Sequence, residues 1–367
     1  MAGGALTASA LLSGCDSGPA PEAVVFTAAE WNVQNLFDGE ENGNEYGEFR
    51  ESAGWGAEKY RARINAISQA ILQMAHLPVT QEGSGLKTAV PDLIGLIELE
   101  NLNVLEDLAQ GILSKHGYSW TAFAAMPDAP LGIGFLSRYP IMETKAHSIS
   151  SGNEIAPRPV LEVRIEPDGK PLVFLLCHWK SKLGGDKATE ELRRASARVV
   201  QRRLRELRES ERETPVIVMG DLNENHDEFY RRSYLCALLP DDPDAAAIAL
   251  KTSPETACTL DFLVLSGEKP PLANFFPEEI PALYSPWERE LSEGSYFYKD
   301  EWETIDHILL SQGLFDGRGW EFDGCRVMNQ APFTSSGGVP NRYVPKTGMG
   351  LSDHLPLLLY LRDLTQN

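Results

Sequence analysis

The sequence predicts an α/β fold in which mixed β-sheets pack face to face and helices cover their outer faces. Two kinds of segment support this fold class: short apolar runs typical of buried strands, and longer segments whose apolar residues recur at helical spacing. A tight Asp-Gly turn joins two of the apolar runs, so antiparallel pairs occur among strands that also alternate with helices. Such a mixture is typical of a layered α/β architecture. With 367 residues, 43% of them hydrophobic, the chain can form one large core.

The first half of the chain alternates strands with helices. Residues 24–33 predict the first strand, and residues 38–56, rich in Gly, Asn and Glu, predict a loop. Apolar residues at helical spacing predict a helix over 57–76. A second buried strand is predicted over 92–98, and a second helix over 104–116.

The second half continues with strands and one long helix. Segment 131–141 predicts a strand with a turn at its end, and segments 160–166 and 171–177 predict a hairpin around Asp168-Gly169. Segment 189–212, dense in Glu, Arg and Leu, predicts a helix with a solvated face. Further strands are predicted at 215–225, 258–265, 304–311 and 354–361. No composition shift marks a boundary after residue 24, so residues 24–367 are predicted to form one domain.

The N-terminal segment, residues 1–23, differs from the rest. A short apolar, small-residue stretch ends in Leu12-Ser13-Gly14-Cys15, and a Ser/Gly/Pro/Ala linker follows. This segment resembles a bacterial lipoprotein signal, although no Lys or Arg precedes its apolar part. The resemblance implies lipidation of Cys15 and an exported protein, either a membrane-anchored lipoprotein or a periplasmic or extracellular one. A frayed, Ala-rich N-terminus with a chance cysteine is the alternative.

Charge and cysteine content narrow the function classes. The formal net charge is −20. Proteins that coat nucleic acid by broad electrostatic attraction are usually basic, so that class is disfavoured. An enzyme that recruits divalent cations can use a negative field. The cysteines other than Cys15 show no Cys-x-x-Cys spacing, which argues against a structural zinc site and leaves disulfide pairing open.

Polar side chains that bind metals or transfer protons follow one predicted strand after another. They are Asn32, Glu98, His178, Asp221, Asn223, Asp306, Asp353 and His354. Each alone has a simpler explanation, such as a turn, a surface ion pair or a packed histidine. Their recurrence at strand ends indicates a functional site, because function concentrates on loops that a rigid scaffold holds.

Seven segments resemble the motifs of the endonuclease/exonuclease/phosphatase superfamily, which includes the pancreatic-type DNase, the apurinic endonucleases and the neutral sphingomyelinases. The segments are "WNVQNLF" (31–37), "DLIGLIELEN" (92–101), "FLSRYPI" (135–141), "CHWKSK" (177–182), "VIVMGDLNEN" (216–225), "TIDHILLS" (304–311) and "LSDHLPL" (351–357). Their order is that of the family, and they span almost the whole chain after the linker. The resemblance implies a four-layer α/β sandwich and Mg²⁺-dependent cleavage of a phosphate ester.

The same resemblance implies a Mg²⁺ site, with Mn²⁺ as a second candidate ion. Glu98 would be the main metal ligand, with Asn32 beside it and Asp353 acting directly or through water. Mg²⁺ prefers oxygen ligands and keeps several waters, so one or two carboxylates suffice. Asp221 and Asn223 would position the nucleophile and a phosphate oxygen, because two residues that are two apart on an extended segment can point the same way.

An acid–base group and phosphate contacts are implied as well. His354 would be the general base or a cationic phosphate contact, with its tautomer fixed by Asp306. His178 would lie across the phosphate as a hydrogen-bond donor or general acid. Arg138 and Lys180 would contact substrate phosphate; a merely solvated Lys180 is the alternative.

The leading hypothesis is a monomeric, Mg²⁺-dependent nuclease that acts outside the cytoplasm on nucleic acid and meets a membrane only through a lipid anchor. The alternatives are a sphingomyelinase-like phospholipid hydrolase, an inositol-phosphate phosphoesterase, and a lipoprotein that binds without cutting. Tyr296, Tyr298 and Trp302, which precede Asp306, predict either a wall for bases or a lipid, or packing with one exposed ring.

Overall fold

The structure is a computed structural model that describes residues 25–74, 90–152, 154–156, 158–232, 234–252, 260–291 and 293–364. The predicted signal and linker (1–23), with the predicted lipidation site Cys15, lie outside the described residues. The strands are β1 (Val25–Leu36), β2 (Leu93–Leu99), β3 (Trp120–Ala124), β4 (Gly132–Ser137), β5 (Ile141–His147), β6 (Ser150–Ser151), β7 (Glu154–Ile155), β8 (Val160–Ile165), β9 (Leu172–His178), β10 (Val216–Asp221), β11 (Leu238–Pro240), β12 (Leu263–Ser266), β13 (Ala282–Tyr284), β14 (Tyr296–Tyr298), β15 (Glu301–Glu303), β16 (Asp306–Leu310), β17 (Trp320–Val327) and β18 (Leu357–Asp363). The α-helices are α1 (Ala57–Gln73), α2 (Leu102–Gln110), α3 (Asp186–Ser210), α4 (Glu228–Arg231) and α5 (Pro243–Thr252).

Two mixed sheets form the centre of the fold. The first sheet has six strands in the order β17-β18-β1-β2-β4-β3, and the second has eight in the order β11-β12-β13-β16-β10-β9-β8-β5. Each sheet contains a parallel pair, β1 with β2 and β9 with β10, beside antiparallel neighbours. The predicted α/β fold with two mixed sheets is confirmed.

The alternation of side chains along β1 shows how the layers form. Phe26 and Ala28 point between the sheets, where they join a core that includes Leu176 of β9. Trp31 points to the outer face of the first sheet, against a cluster that includes Ile67 of α1. Each of these side chains is at most 1% exposed. Burial of a large apolar side chain contributes roughly 1.5–3 kcal/mol, so both faces of β1 stabilise the fold.

Helix α3 covers the outer face of the second sheet. Val200 and Leu204 of α3 are buried in one cluster with Val173 of β9 and Val218 of β10. Helices α1 and α2 cover the first sheet in the same way. The order of layers is therefore helix, sheet, sheet, helix, as in the predicted four-layer sandwich.

Several predicted boundaries shift. Helix α1 ends at Gln73, and residues 75–76 of the predicted helix lie outside the described residues. The predicted helix 104–116 is two elements, α2 and a 3-10 helix over Ile112–His116, and Gly117 ends the second with a φ of 91°. Helix α3 begins at Asp186 rather than at residue 189. Among the described residues, no helix combines the length and the apolar character that a membrane span needs.

Candidate active site

Strand pairing brings several predicted site residues to one edge of the second sheet. His178 ends β9 and lies opposite Asp221, which ends the parallel strand β10. Asp306 begins the antiparallel strand β16 and lies opposite Asp221 on its other side. Side chains directly opposite one another on neighbouring strands share a face, so His178, Asp221 and Asp306 form a row.

An irregularity in β2 aims Glu98 at this row. The φ of Glu98 is 69°, and the pairing of β2 with both β1 and β4 changes register at this point. A bulge of this kind redirects a side chain, and a left-handed non-glycine residue costs on the order of 1–3 kcal/mol. The Glu98 carboxylate accepts hydrogen bonds from the backbone N–H of Asn35 (2.7 Å) and from the side-chain amide of Asn32 (3.2 Å). Buried Arg63 holds the adjacent left-handed turn by donating to the carbonyl oxygen of Gln34 at 2.6 Å.

Gly220 permits the close approach of β10 to β9 just before Asp221. The φ of Gly220 is 127°, and a Cβ atom there would lie 2.1 Å from the carbonyl oxygen of Cys177. Asp221 accepts a hydrogen bond from the backbone N–H of Asn223 at 2.9 Å. Asn223 is also left-handed, with a φ of 53°, and its amide donates to the carbonyl oxygen of Trp179 at 3.3 Å. The loop after β10 is therefore fixed by its own short contacts.

His354 is held by residues from both sheets. Its Nδ1 lies 2.8 Å from Oδ2 of Asp306, and the hydroxyl group of Ser295 donates to the same oxygen at 2.6 Å. The indole N–H of Trp31 donates to the carbonyl oxygen of His354 at 3.0 Å. The Asp306 contact engages Nδ1, so Nε2 is left to face the centre of the site, 4.0 Å from Oδ2 of Asp221.

Carboxylates surround this centre. The amide group of Asn32 donates to Glu98 at 3.2 Å and to Asp221 at 3.1 Å, and its oxygen accepts the backbone N–H of Gln34 at 3.0 Å. Asp353 places Oδ1 4.0 Å from Nε2 of His354. As placed, Asn32 therefore supplies donors that hold two carboxylates together.

The pKa values of the site residues are shifted by this crowding of carboxylates. Burial, and then the charge of Asp306, raise the pKa of Asp221 to about 7. Burial, and then the charge of Asp353, raise the pKa of Glu98. Burial alone would lower the pKa of His354, but the charge and hydrogen bond of Asp306 and the charge of Asp221 outweigh it, so this pKa is raised well above its usual range. Like charges in a buried site favour protonation or the binding of a cation.

Arg158 and His178 line one side of the site, Arg158 as a cation and His178 as a neutral ring. Arg158 donates from Nε to the carbonyl oxygen of His178 at 3.3 Å and from Nη2 to that of Trp179 at 3.4 Å. Nε2 of His178 lies 3.8 Å from carboxylate oxygens of both Glu98 and Asp221. Burial, and then the charge of Arg158, lower the pKa of His178 well below its usual value, so this imidazole is neutral. A neutral ring N–H and a guanidinium beside carboxylates are suited to contact an anionic substrate.

The sequence matches the family model "Endonuclease/Exonuclease/phosphatase family" over residues 27–248. The chain belongs to this family. Members of the family are hydrolases of phosphoester bonds and typically depend on a divalent metal. No curated protein matches the sequence.

Solved structures share the fold over nearly the whole chain. The mannosyl-6-phosphatase of Bacteroides thetaiotaomicron gives a TM-score of 0.51 at 16% sequence identity and covers 92% of this chain and 99% of its own. The human nocturnin catalytic domain with a bound sulfate anion gives 0.52 at 14% identity, with coverage of 92% and 93%. A humanized TDP2 of D. rerio gives 0.52 at 14% identity, with coverage of 92% and 98%. At these identities the likeness establishes the endonuclease/exonuclease/phosphatase fold.

One predicted phosphate contact lies far from the family's site in this chain. Arg138 follows β4, which runs antiparallel to β2, so it lies beside Asp92 at the opposite end of β2 from Glu98. Six strand residues span about 20 Å. Arg138 forms an ion pair with Asp92 at 2.7 Å and donates to the carbonyl oxygen of His116 at 3.0 Å. The prediction that Arg138 binds substrate phosphate is corrected: this side chain anchors Asp92.

Lys180 lies near the site, two residues after His178. It is half-buried, and its backbone carbonyl accepts a hydrogen bond from Arg193 at 3.1 Å. Lys182 is instead engaged by Glu228 at 2.8 Å. Contact between Lys180 and a substrate phosphate stays a prediction.

Sequence reasoning missed three residues of the site. Arg158 and Ser295 contact the predicted residues directly. Glu30 lies fully buried beneath the site, and neither of its carboxylate oxygens has a hydrogen-bond partner among the described residues. Burial, and then the charges of Asp306 and Asp221, raise the pKa of Glu30 well above its usual value. A charged residue in an otherwise apolar strand was the available signal for Glu30; the other two carried none.

Proposed function

We propose that this protein is a Mg²⁺-dependent phosphodiesterase, and specifically a nuclease that acts outside the cytoplasm as a monomer. The observation that carries the proposal is the convergence of Glu98, Asp221 and the Asp306–His354 pair, which come from separate strands and from both sheets. Asn32 links the first two of these residues. Such a cluster would hold a divalent cation, which would neutralise the charge of a phosphodiester and activate a water molecule in one place.

The residues present fit a divalent cation. Asp221, Asp306 and His354 each place one ligand atom within 4.8 Å of the others, and Oδ1 of Asp306 is buried without a hydrogen-bond partner among the described residues. Glu98 and Asp353 add oxygen ligands, the type that Mg²⁺ and Mn²⁺ prefer. Glu98 and Asp353 would hold the ion. When bound, it would supply positive charge to the phosphate oxygens and lower the pKa of a bound water.

The pKa values divide the remaining roles. Asp221, with a pKa of about 7, can accept a proton from an attacking water near neutral pH. His354, with its raised pKa, is an imidazolium that Asp306 orients, so it favours the cationic phosphate contact over the general base. Neutral His178 donates an N–H to a phosphate oxygen. Asn223 fixes the loop that carries Asp221.

Export rests on the N-terminal sequence alone. We propose lipidation of Cys15 after the Leu12-Ser13-Gly14 segment, followed by a linker that tethers the catalytic domain. Growth of the expressing bacterium on radiolabelled palmitate tests this proposal. Label on the full-length protein and none on a Cys15→Ser variant is the expected result, and equal label on both would overturn it.

Hydrolysis assays test the catalytic proposal. The purified protein would be incubated with plasmid DNA, RNA, sphingomyelin, inositol phosphates and mannose 6-phosphate, with Mg²⁺, Mn²⁺ or EDTA in parallel. We expect cleavage of nucleic acid with Mg²⁺, none with EDTA, and a loss of at least about 100-fold in His354→Ala. His116→Ala is the matched control, since His116 is an exposed histidine beside Arg138. Cleavage of only a phospholipid or a phosphomonoester would contradict the nuclease assignment.

A further inference from the structure

A short hairpin that carries two stacked tyrosines rises from the catalytic pair. Strands β14 and β15 pair through Tyr296–Glu303, Phe297–Trp302 and Tyr298–Glu301. A two-residue turn joins them, in which Lys299 and Asp300 have φ values of 51° and 64°. Two consecutive left-handed residues form the turn type that fits the twist of a hairpin, so this element is well defined despite its length.

The base of the hairpin is fixed to the active site. Ser295, directly before β14, donates to the Asp306 oxygen that contacts His354, and its carbonyl oxygen accepts the backbone N–H of Leu355 at 2.7 Å. The Tyr296 ring packs on the His354 imidazole with their centroids 4.6 Å apart. The hairpin therefore has a fixed position relative to the atoms that would contact the scissile phosphate.

The two faces of the hairpin have different surroundings. On one face Phe297 packs edge-on against Trp302, and Trp302 packs against the outer core of the first sheet. On the other face Tyr296 and Tyr298 are stacked, with an interplanar angle of 19° and a centroid separation of 6.1 Å. The rings of His354, Tyr296 and Tyr298 thus form a row that leads from the catalytic pair to solvent.

Tyr298, at the outer end of this row, is 49% exposed. No hydrogen bond of its hydroxyl group is found in the part of the chain that the structure describes. The amino group of Lys299 lies 5.0 Å from the centroid of the Tyr298 ring. An exposed ring with an ammonium group over it matches a nucleotide, which offers a base to stack and a phosphate to neutralise.

The remaining charges at the hairpin are partly balanced. Glu303, across from Tyr296, has Lys182 at 3.8 Å, and Lys182 is itself fixed by Glu228. Glu301 stands exposed across from Tyr298, beside Lys299 at the turn. Two carboxylates on this face would repel the several phosphates of an inositol polyphosphate. A substrate that contacts the face through a stacked ring suits these charges better.

We infer that Tyr298 stacks a nucleobase next to the scissile phosphate and makes the enzyme prefer base-bearing phosphodiesters over phosphodiesters of equal charge that lack a base. This inference rests on the proposed nuclease function and adds the substrate feature that the hairpin recognises.

Steady-state kinetics on two matched substrates test the inference. One is a short single-stranded oligodeoxynucleotide, and the other has the same length and charge but a tetrahydrofuran abasic unit beside the cleaved bond. Base–aromatic stacking is lost in Tyr298→Ala, so we expect its KM for the base-bearing substrate to rise on the order of tenfold. Its kcat should stay within about twofold, and its KM for the abasic substrate should not change. Tyr298→Phe keeps the ring and should behave as the wild type.

Controls separate stacking from general damage. Trp120→Ala removes another exposed aromatic ring, on edge strand β3, and should leave both substrates unaffected. Equal KM values of wild type and Tyr298→Ala on the base-bearing substrate, or an equal rise on both substrates, would overturn the inference while the nuclease function stands.

A binding measurement decides the inference if no cleavage occurs. Fluorescence anisotropy of the labelled oligonucleotides in EDTA gives affinities without turnover. The inference is supported if Tyr298→Ala binds the base-bearing oligonucleotide more weakly than wild type does but binds the abasic one equally well. This result would count even if the wild-type protein cleaves neither substrate and the proposed function fails. Identical affinities of wild type and Tyr298→Ala would refute it.

Discussion

Oδ2 of Asp306 lies 2.8 Å from Nδ1 of His354, and this contact joins the two sheets at the active site. Asp306 begins β16 of the second sheet, whereas His354 precedes β18 of the first. The two residues are 48 positions apart in the chain, and both are buried. The relative position of the sheets therefore sets the geometry of this pair.

Removal of the Asp306 charge should lower the pKa of His354. Burial disfavours the imidazolium, and Asp306 is the largest influence that opposes burial. In Asp306→Asn we expect the pKa of His354 to fall toward or below about 6.5, its ordinary value. NMR titration of the ring protons in EDTA measures the pKa directly, with Asp323→Asn, an aspartate paired with Arg362, as control. A His354 pKa that is the same in wild type and Asp306→Asn would contradict this electrostatic account.

Glu98 should control affinity for the divalent ion. Its carboxylate is held by Asn32 and Asn35 and faces the other carboxylates of the site. We expect Glu98→Gln to weaken Mn²⁺ binding at least about tenfold, since loss of even an outer partner of a metal ligand costs 10–100-fold. Electron paramagnetic resonance of free Mn²⁺ measures the Kd, with exposed Glu143→Gln as the matched control. Equal Mn²⁺ affinities of Glu98→Gln and wild type would show that the metal ion binds elsewhere.

Arg158 and Arg138 should differ in their effect on substrate binding. Arg158 contacts the His178 and Trp179 carbonyl oxygens beside the carboxylates, whereas Arg138 pairs with Asp92 at the far end of β2. A charge-assisted hydrogen bond to phosphate contributes about 1.5–3 kcal/mol, so we expect Arg158→Ala to raise KM roughly 10- to 100-fold. Arg138→Ala should leave KM unchanged and lower the urea midpoint, because it leaves the buried Asp92 without its ion-pair partner. The reverse pattern would restore the prediction made from sequence.

The fold and most of the site could be predicted from the sequence, because apolar strands are recognisable and the site residues lie where strands end. His178, Asp221 and Asp306 are neighbours because their strands pair in register. The sequence predicts this convergence through the family motifs, because an apolar run indicates a buried strand but not its partner. The direction in which a strand runs through the sheet cannot be recognised from the sequence in the same way. Arg138 stands beside a family-like segment, yet β4 runs back from the site, so its last residues lie at the wrong end.

Contacts that depend on loop paths could not be predicted. Arg158 lies in the loop between β7 and β8, where no periodic pattern tells which way a side chain points. The left-handed backbone of Glu98 is equally invisible, because a carboxylate in a strand gives no signal of a bulge. Ser295 is a common residue type, and only the return of the chain toward Asp306 gives it a partner.

Gly220 should be intolerant of any side chain. A Cβ atom at this position would lie 2.1 Å from the carbonyl oxygen of Cys177, in addition to the cost of a φ of 127°. We expect Gly220→Ala to destabilise the protein by more than about 3 kcal/mol, because β9 and β10 would have to separate. Gly43→Ala is the control: its φ is 104°, and a Cβ atom there would meet nothing within 4 Å. That variant should lose only about 1–2 kcal/mol, the cost of the left-handed backbone.

Urea unfolding of both glycine variants checks this expectation, and the activity of each folded variant adds a second readout. Gly220 directly precedes Asp221, so a folded Gly220→Ala should also lose activity. Equal stability of the two variants would mean that the approach of β9 to β10 is looser than the structure shows.

Glu162 should make stability depend on pH between about 5 and 2. It is 3% exposed on β8 and accepts two hydrogen bonds from Arg203, at 2.7 and 2.8 Å, and lies 2.7 Å from Nε2 of His147. Burial alone would raise the pKa of Glu162, but His147 and Arg203 outweigh it and lower the pKa to about 2. The folded pKa lies below the unfolded value of about 4.3. The stabilisation is therefore complete above pH 5 and is lost as pH falls toward 2.

The variant Glu162→Gln should therefore differ from wild type mainly near neutral pH. We expect a loss of roughly 2–4 kcal/mol at pH 7, because a pKa difference of this size corresponds to about that free energy. Urea titrations at several pH values from 7 to 3 should show the difference shrinking below pH 4, because the carboxylate gains a proton in the unfolded wild type while it stays ionised in the folded one. Glu143→Gln, at an exposed site beside Lys145, should change stability by less than about 1 kcal/mol at every pH. A gap between Glu162→Gln and wild type that stays constant across this range would show that packing, not the ion pair, stabilises this site.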